Sequence, residues 1–338
     1  LYSVGREAKK GLDKARQRVA DAINADPKEI IFTSGGSESD NLAIKGIALK
    51  LKGKGNHIIT SEIEHPAVKE TLHFLETLDF KVTYLPVYEN GIVKVEDVKD
   101  AITPETILIT IMHGNNEIGT LQPIAEIGKL ARERKILFHT DAVQTFGKVK
   151  VDVEELNVDL LSLSSHKVHG PKGVGFLYHR SGLKFDSIIH GGEQEEKRRA
   201  GTENLHSLLG MAKALQIATD NMSANYAHVE KLKASLLDDL ADIEYYTHEF
   251  GPSMPHVVNI GFPGKNHDLL LAKLDLAGVA ISTGSACTAG TVDPSHVLEA
   301  VYGSESQKLK ENIRVSFSEL NTEEEIHNFV QTLKERAL

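Results

Sequence analysis

The sequence predicts an α/β protein, with one large domain built on a mainly parallel seven-stranded sheet flanked by helices, plus a smaller α+β domain. Three observations support this prediction. The chain has 338 residues, more than one ordinary domain requires. Short apolar runs alternate with helix-like stretches along its first half, which is typical of βαβ units. After residue 202 the pattern changes to one long helical stretch, followed by a mixture of strands and helices.

The large domain begins with an amphipathic helix pattern, whose apolar positions include Leu12, Ala15, Val19 and Ile23. Seven strand-like runs follow, at residues 29–33, 57–61, 81–86, 106–112, 136–140, 158–164 and 174–179. Helix-like runs lie between several of them, at residues 41–51, 66–78, 95–102 and 124–134. Strands connected through helices pair in parallel, so we expect helices on both faces of the sheet.

The smaller domain is predicted from the second part of the chain. Helices are expected at residues 205–240, 269–277, 294–302 and from 323 onward, and strands at 257–262, 279–282 and 313–317. We place the large domain at residues 1–210 and the small domain at 211–338, with the boundary within or near the long helix.

Composition excludes several classes of protein. Hydrophobic residues make up 41% and charged residues 25%, which excludes disorder as the dominant state. No apolar run approaches membrane-spanning length. The net charge of −10 argues against direct nucleic-acid binding, which depends on clustered Lys and Arg. One cysteine cannot form an internal disulfide, and no signal-peptide pattern opens the chain, so we expect a cytoplasmic protein.

That single cysteine, Cys287, is a candidate reactive group. It lies in the run STGSACTAG at residues 282–290. A structural thiol usually has apolar neighbours, whereas this one is surrounded by small and polar residues, which predicts a mobile, accessible loop. An exposed but idle thiol is the alternative, because reactivity depends on a pKa that sequence does not give.

Polar segments follow the predicted strands, where ligands of such sheets bind. The run TSGGSESD at residues 33–40 has glycines that let the backbone approach a ligand, and Ser37 is placed to cap a helix whose N-terminus would bind an anion. Residues 37–40 also fit an ordinary capping box. His65 precedes a helix after the second strand and is either a polar loop residue or an imidazole for proton transfer.

Two further strand ends carry ionisable groups. Asp141 ends a buried strand and needs a partner, either a cofactor cation, an arginine or a helix cap. Lys167 follows a later strand, where an amine with a lowered pKa would be the usual Schiff-base nucleophile. An anion site, a strand-end carboxylate and a lysine together fit the phosphate, the pyridinium nitrogen and the aldehyde of pyridoxal phosphate.

With these motifs the chain resembles the cysteine desulfurases of the NifS/IscS type. These are pyridoxal-phosphate enzymes with the class V aminotransferase-like fold (fold type I), and they take sulfur from L-cysteine and leave L-alanine. The resemblance covers nearly the whole chain. Its motifs are FTSGGSESDN (32–41), EH (64–65), NNEIG (115–119), DAVQ (141–144), SHK (165–167), HGG (190–192), RAGTEN (199–204) and SACT (285–288).

The resemblance implies a role for each matching residue near the cofactor ring. Lys167 would form the Schiff base, and Asp141 would pair with the pyridinium nitrogen. His65 would stack on the ring and assist proton transfer, while Gln144 would bind the phenolic oxygen.

Other matches imply contacts with phosphate, substrate and a second subunit. Thr202 would reach the phosphate of the neighbouring subunit, which implies a homodimer. Asn116, at the cofactor site, would bind the carboxylate of L-cysteine together with the two-pronged guanidinium of Arg314. The residues implied to hold the phosphate of the chain's own cofactor are Gly36, Ser37, Ser164 and His166.

Cys287 would be the residue that takes the sulfur. The resemblance implies that its thiolate attacks the substrate sulfur and becomes a persulfide, with His65 as a candidate base. The persulfide would pass to a sulfur-acceptor protein, either an iron–sulfur cluster scaffold or a tRNA thiolation enzyme.

The chain departs from the family pattern at three places. The family usually opens with a segment containing a Leu-Asp-Asn-Ala-Ala-Thr-Thr-like motif, which nothing in this chain matches. Ser37 replaces the usual threonine and keeps a hydroxyl. Residues 191–197 read GGEQEEK where the family tends to have GGGQERG, so extra acidic side chains are expected near the cofactor.

Three other functions fit part of the sequence. Metal binding would use His166 and His169 among the 16 histidines, but no metal-ligand spacing is met. A selenocysteine lyase or cystathionine-type lyase would keep the cofactor residues but has no need of the Cys287 loop. A non-catalytic sulfur carrier or scaffold would need Cys287 alone and would leave Lys167 unexplained.

Overall fold

The computed structural model describes residues 2–248, 251–284 and 294–338. The chain forms two compact units. The first comprises Leu1–Leu85, Lys94–His113 and Gln122–Asn221, and the second comprises Pro86–Val93, Gly114–Leu121 and Met222–Leu338. The predicted division at residue 210 did not include the two short early segments of the second unit, because nothing in their composition sets them apart.

Seven strands form the sheet of the first unit. They are β1 (Ile30–Thr33), β2 (His57–Ser61), β3 (Lys81–Leu85), β4 (Thr106–Thr110), β5 (Leu137–Asp141), β6 (Leu160–Ser164) and β7 (Gly175–His179). Their spatial order is β1-β7-β6-β5-β4-β2-β3. Neighbours from β6 through β3 pair in parallel, and β7 is antiparallel to both β1 and β6. The predicted mainly parallel seven-stranded sheet is confirmed.

Burial explains why these strands could be found in the sequence. Every residue of β1, β2, β4, β6 and β7 is buried, and such strands read as continuous apolar runs. β3 lies at the sheet edge and is partly exposed.

Nine α-helices lie within the described parts of the chain. They are α1 (Ser3–Asp21), α2 (Gly36–Leu51), α3 (Pro66–Glu76), α4 (Val95–Ala101), α5 (Ile124–Glu133), α6 (Leu205–Asp239), α7 (His267–Leu276), α8 (His296–Tyr302) and α9 (Glu323–Thr332). None of the described helices has both the length and the apolar character needed to cross a membrane.

Helix α2 packs on the centre of the large sheet. Its Leu42, Ile44 and Ile47 have no exposed surface and belong to one apolar cluster with Ile31 and Leu177 of the sheet. Burial of each such side chain stabilises the fold by about 1.5–3 kcal/mol. This packing fixes the N-terminus of α2 at one edge of the sheet.

The second unit contains a three-stranded antiparallel sheet, made of β8 (Tyr246–Thr247), β9 (Val257–Gly261) and β10 (Asn312–Ser316) in the order β10-β9-β8. Its core includes Ile260, Ile313 and Phe329. The predicted strand at 279–282 is wrong, because only Ser282 pairs, in an isolated bridge with Arg314. The two-residue β8 was missed because it is too short to show a pattern.

Candidate active site

The carboxyl ends of six strands lie along one edge of the large sheet. β2, β3, β4, β5 and β6 are parallel, and the two antiparallel pairings of β7 give β1 the same direction. The edge beyond these ends is where open α/β sheets bind ligands. The predicted site residues that end or follow these strands are Gly36, Ser37, His65, Asp141, Gln144, Ser164, His166 and Lys167.

The N-terminus of α2 approaches the end of β6 closely. A Cβ atom placed on Gly36 would lie 2.9 Å from Cγ2 of Val143 and 3.6 Å from Cβ of Ser164. The Oγ of Ser164 is hydrogen-bonded to Nδ1 of His166 at 2.8 Å. The first N–H groups of a helix lack partners within the helix, so this group of residues can hold an anion such as phosphate.

The predicted capping role of Ser37 is wrong, and so is the capping-box alternative for residues 37–40. The N-cap of α2 is Gly35, which has no side chain, and Ser37 is exposed in the first turn. The Glu38 carboxylate accepts a 2.8 Å hydrogen bond from the backbone N–H of Ser34. Asp40 is turned away from the helix start and is only 1% exposed.

His65 is fixed by the start of α3. As the N-cap residue of that helix, it accepts a 3.1 Å hydrogen bond at Nδ1 from the backbone N–H of Ala67. A neutral His65 therefore carries its proton on Nε2. One polar atom from each of Asp40, His65 and Asp141 lies within 4.8 Å of the other two.

Lys167 lies in a short 3-10 helix, Ser165–Val168, which directly follows β6. Its side chain is half-buried, and its positive charge acts on the carboxylate of Asp141. Asp141 also accepts a 2.9 Å hydrogen bond from the backbone N–H of Val143. The structure thus brings together three predicted site residues, His65, Asp141 and Lys167, on segments far apart in sequence.

Three carboxyl groups are buried at this edge. Burial raises the pKa of Glu64 to about 8, although Ser61 and the backbone N–H of Met112 donate hydrogen bonds to it. Burial and repulsion from Asp141 and Glu64 raise the pKa of Asp40 well above its usual range. Burial therefore favours the protonated form of both Glu64 and Asp40.

Asp141 differs from these two carboxyls in its neighbours. Burial raises the pKa of Asp141, but the charges of His65 and Lys167 and the hydrogen bond from Val143 lower it. Of the three carboxyls, Asp141 is the one whose pKa the charges of both His65 and Lys167 lower, so the negative charge of the group is best accommodated on Asp141.

Behind this group lies a fully buried histidine, His139 of β5. Its ring nitrogens are hydrogen-bonded to Thr110 Oγ1 at 2.8 Å and Ser162 Oγ at 2.9 Å, and burial lowers its pKa to about 3. His139, Asp40 and Glu64 were not predicted as members of the site. For His139 and Glu64 the available signal was a polar residue within or beside an otherwise apolar strand.

Gln144 and Thr202 lie near other groups. Gln144 is half-buried and accepts a 3.4 Å hydrogen bond from Lys148. Thr202 is exposed and lines a cleft of about 200 Å³ together with Thr33, Ser34 and Arg199. Ser164 and His166 are not among the lining residues of that cleft.

In the second unit, Asn116 and Arg314 meet. Nη1 of Arg314, on β10, donates a 3.0 Å hydrogen bond to the backbone oxygen of Asn116. The segment around Asn116 is fixed by Asn115, whose Oδ1 accepts the backbone N–H groups of Glu117 and Ile118 at 2.8 and 3.0 Å. The structure therefore joins the two residues expected to bind a substrate carboxylate.

The acidic stretch at residues 191–197, which departs from the family pattern, is partly buried. Glu195 is only 4% exposed, and its carboxylate accepts hydrogen bonds from Nη1 and Nη2 of Arg16 at 2.7 and 2.8 Å. Glu195, Glu196 and Lys197 all have left-handed backbone conformations, with φ of 48°, 55° and 66°. Glu195 therefore forms a largely buried ion pair with Arg16.

Cys287 lies outside the described residues. For the metal alternative, His166 and His169 find no third ligand in the parts of the chain that the structure describes. The one group of three metal-ligating side chains there is Asp40, His65 and Asp141.

Comparisons with known proteins extend these observations. The profile of the family described as Aminotransferase class-V matches residues 1–329. The protein named cysteine desulfurase IscS of Clostridium botulinum (strain Hall) is 48% identical over 338 residues, covering 98% of this chain and 85% of that protein. A solved structure of a NifS-like protein matches with a TM-score of 0.93 and 36% identity, over 99% of this chain and 89% of that one. The structure of SspA in complex with cysteine matches with a TM-score of 0.84 and 38% identity, over 95% and 90%.

Proposed function

We infer the function of this chain from its family, because it belongs to the class-V aminotransferases and, within them, to the cysteine desulfurases of the NifS/IscS type. It is a pyridoxal-phosphate-dependent cysteine desulfurase. The observation that carries this function is the meeting of His65, Asp141 and Lys167 at the carboxyl edge of the sheet.

The residues of the first unit fit pyridoxal phosphate. Gly36 leaves room that a side chain would fill, at a helix start suited to the phosphate, beside Ser164 and His166. Asp141 offers a buried carboxylate to the pyridinium nitrogen, and Lys167 offers an amine to the aldehyde. We propose these as the cofactor contacts, together with Ser37, Gln144 and Asn116, and with Thr202 acting on a neighbouring subunit.

When bound, pyridoxal phosphate supplies an electron sink for charge that develops beside the α-carbon of the substrate. In our proposal, Lys167 would hold the cofactor through its amine and would move the α-proton of the substrate. The buried carboxylate of Asp141 would keep the pyridinium nitrogen protonated. His65 would contact the ring, and the backbone bond at Nδ1 leaves Nε2 for proton transfer.

Cys287 receives the sulfur in this proposal. Its thiolate attacks the sulfur of L-cysteine, and an S–S bond forms while the C–S bond of the substrate breaks. The electron pair of that bond stays on the carbon, which takes a proton, so that L-alanine leaves and Cys287 holds a persulfide. Arg314 and Asn116 hold the substrate carboxylate during this step.

We further propose a cytoplasmic homodimer that passes its persulfide to a sulfur-acceptor protein for iron–sulfur cluster assembly or tRNA thiolation. Exposure of Thr202 on its own chain supports a role across a subunit interface. The name IscS of the relatives supports an acceptor in cluster assembly.

The test is the visible absorbance of the purified chain with and without L-cysteine, together with alanine formation. We expect a cofactor band that Lys167→Ala abolishes and that Lys172→Ala, a change of an exposed lysine in the same loop, retains. We expect Cys287→Ala to keep the band and to lose alanine formation. A folded chain that binds no cofactor would instead favour the sulfur carrier or scaffold.

A further inference from the structure

We propose that Glu117 is a positioning residue for the segment carrying Cys287, because it binds the C-terminal flank of that segment at Ser295 and lies against the N-terminal flank at Gly284. The inference concerns a residue to which neither the sequence motifs nor the family assigned a role. It rests on the proposed function only in giving Cys287 the task of taking sulfur.

The two flanks meet at one carboxyl group. Glu117 is 1% exposed, and its Oε2 accepts a hydrogen bond from the Oγ of Ser295, the first residues of the C-terminal flank being Pro294 and Ser295. On the other flank, a Cβ atom placed on Gly284 would lie 3.4 Å from the same Oε2 and 3.3 Å from Cβ of Ser295. Residues 284 and 295 therefore converge on Glu117 from opposite ends of the segment.

The C-terminal flank is fixed in direction as well as position. Ser295 is the N-cap of α8, and its Oγ accepts a 3.2 Å hydrogen bond from the backbone N–H of Leu298. The Ser295 hydroxyl therefore donates its own hydrogen to Glu117. A serine that only capped the helix would need no acceptor, so the bond to Glu117 is an additional constraint on the start of α8.

The N-terminal flank is connected to the proposed carboxylate-binding arginine. Ser282 and Arg314 exchange backbone hydrogen bonds of 2.6 and 3.3 Å. Arg314 in turn binds the backbone oxygen of Asn116, the residue before Glu117. Its positive charge and the bond from Ser295 also oppose the rise that burial causes in the pKa of Glu117.

Glu117 is thus placed to set the positions of Gly284 and Ser295, the described residues on either side of Cys287, relative to Arg314. Loss of its carboxyl would leave Arg314 on β10 and the helix cap of Ser295 in place, because neither depends on Glu117 for its backbone pairing. The expected effect is therefore on the thiol rather than on substrate affinity.

The single cysteine allows a direct test in the cofactor-loaded protein. The rate of alkylation of Cys287 by iodoacetamide, without L-cysteine present, reports the thiol alone. We expect Glu117→Ala and Ser295→Ala each to change this rate about three- to tenfold, the effect of one lost hydrogen bond to a buried carboxyl. The double variant should differ little from Ser295→Ala, because that single change already removes the bond between Ser295 and Glu117. Glu117→Gln keeps an acceptor oxygen and should have a smaller effect.

Two changes elsewhere in the second unit serve as matched controls. Ser306→Ala removes the serine N-cap of the short helix Gln307–Lys310, and Glu311→Gln neutralises a carboxylate that accepts hydrogen bonds from Tyr246 and Gly264. Both should leave the alkylation rate within twofold of the unchanged chain.

A second readout separates positioning from substrate binding. With the cofactor band unchanged, we expect Ser295→Ala to lower kcat for alanine formation and to leave KM for L-cysteine within about twofold. The proposal is overturned if Glu117→Ala and Ser295→Ala alkylate at the rate of the controls, or if only KM changes. If the unchanged chain forms no alanine but alkylation responds as expected, the proposed function fails while the role of Glu117 stands.

Discussion

The buried carboxyl of Asp40 lies 3.6 Å from Nε2 of His139, and neither side chain is more than 1% exposed. Burial raises the pKa of Asp40 well above its usual range and lowers that of His139 to about 3, so it disfavours the charged form of both groups. A charged pair at this depth would have to overcome a large desolvation cost. Asp141 is therefore the carboxylate that we propose to pair with the cofactor cation.

The raised pKa of Glu64 predicts how stability depends on pH. Its folded value of about 8 lies above the ordinary 4.5, so its contribution is complete below pH 4.5 and is lost as pH rises toward 8. That loss is on the order of 4 kcal/mol. We expect Glu64→Gln to show a smaller decrease in the free energy of unfolding between pH 5 and pH 8, measured by urea denaturation. If the free energy of unfolding fell equally with pH in Glu64→Gln and in the unchanged chain, this prediction would be contradicted. Glu62→Gln, the same change two residues earlier, is the control.

The space beside Gly36 predicts sensitivity to one methyl group. In Gly36→Ala the new Cβ would lie 2.9 Å from Cγ2 of Val143, so the start of α2 or the Val143 side chain must shift. We expect about a tenfold weaker affinity for pyridoxal phosphate, measured by absorbance titration. Gly53→Ala adds the same methyl group where no atom lies within 4 Å, and equal affinity in the two variants would refute the phosphate site at Gly36.

The two-pronged contact that we propose between Arg314 and the substrate carboxylate predicts that lysine cannot replace Arg314. Arg314→Lys should raise KM for L-cysteine about ten- to hundredfold while the cofactor band persists, because a single ammonium cannot form two parallel hydrogen bonds. Steady-state alanine formation measures this. Arg180→Lys, at the arginine paired with Asp159 in the first unit, is the comparison, and an unchanged KM in Arg314→Lys would remove Arg314 from the substrate site.

The left-handed conformation of Lys197 predicts a stabilising substitution. A residue with a Cβ at φ of 66° destabilises the folded state by about 1 kcal/mol. Glycine removes this strain, but the greater entropy of its unfolded chain cancels part of the gain. We expect Lys197→Gly to raise the free energy of unfolding by about 0.5 kcal/mol. Lys197→Ala removes the same exposed ion pair with Glu193 but keeps the Cβ, and should give no gain. Thermal or urea unfolding of both variants measures the difference. Equal free energies of unfolding for Lys197→Gly and Lys197→Ala would mean that the left-handed conformation does not destabilise the chain.

Most of the large sheet was predictable because its strands are buried on both faces and its connections end in glycine or polar runs. Only the pairing order, with β7 between β1 and β6, had no signal in local sequence. In the second unit, the strand predicted at 279–282 failed because a short apolar run there is used for a single bridge from Ser282.

Some residues of the candidate site could be predicted from the sequence, and others could not. His65, Asp141 and Lys167 could be proposed from their positions after strands, since parallel strand ends converge. Asp40 could not, because its side chain direction depends on how α2 packs, and a polar residue near a helix start is usually a cap. The contact between Arg314 and Asn116 joins residues from distant parts of the chain and becomes visible only in the fold.

The antiparallel pairing of β1 with β7 also bears on the order of folding during synthesis. Ile30 pairs with Tyr178, so β1 cannot pair within the sheet until β7 has been synthesised. Contacts this far apart in sequence form slowly, because a long loop must close first. The ribosome must therefore have delivered almost the whole of the first unit before the glycine turn after β1 is held in place. A nascent chain stalled before β7 would carry Lys167 but would lack the strand that pairs with β1, beside the proposed phosphate site.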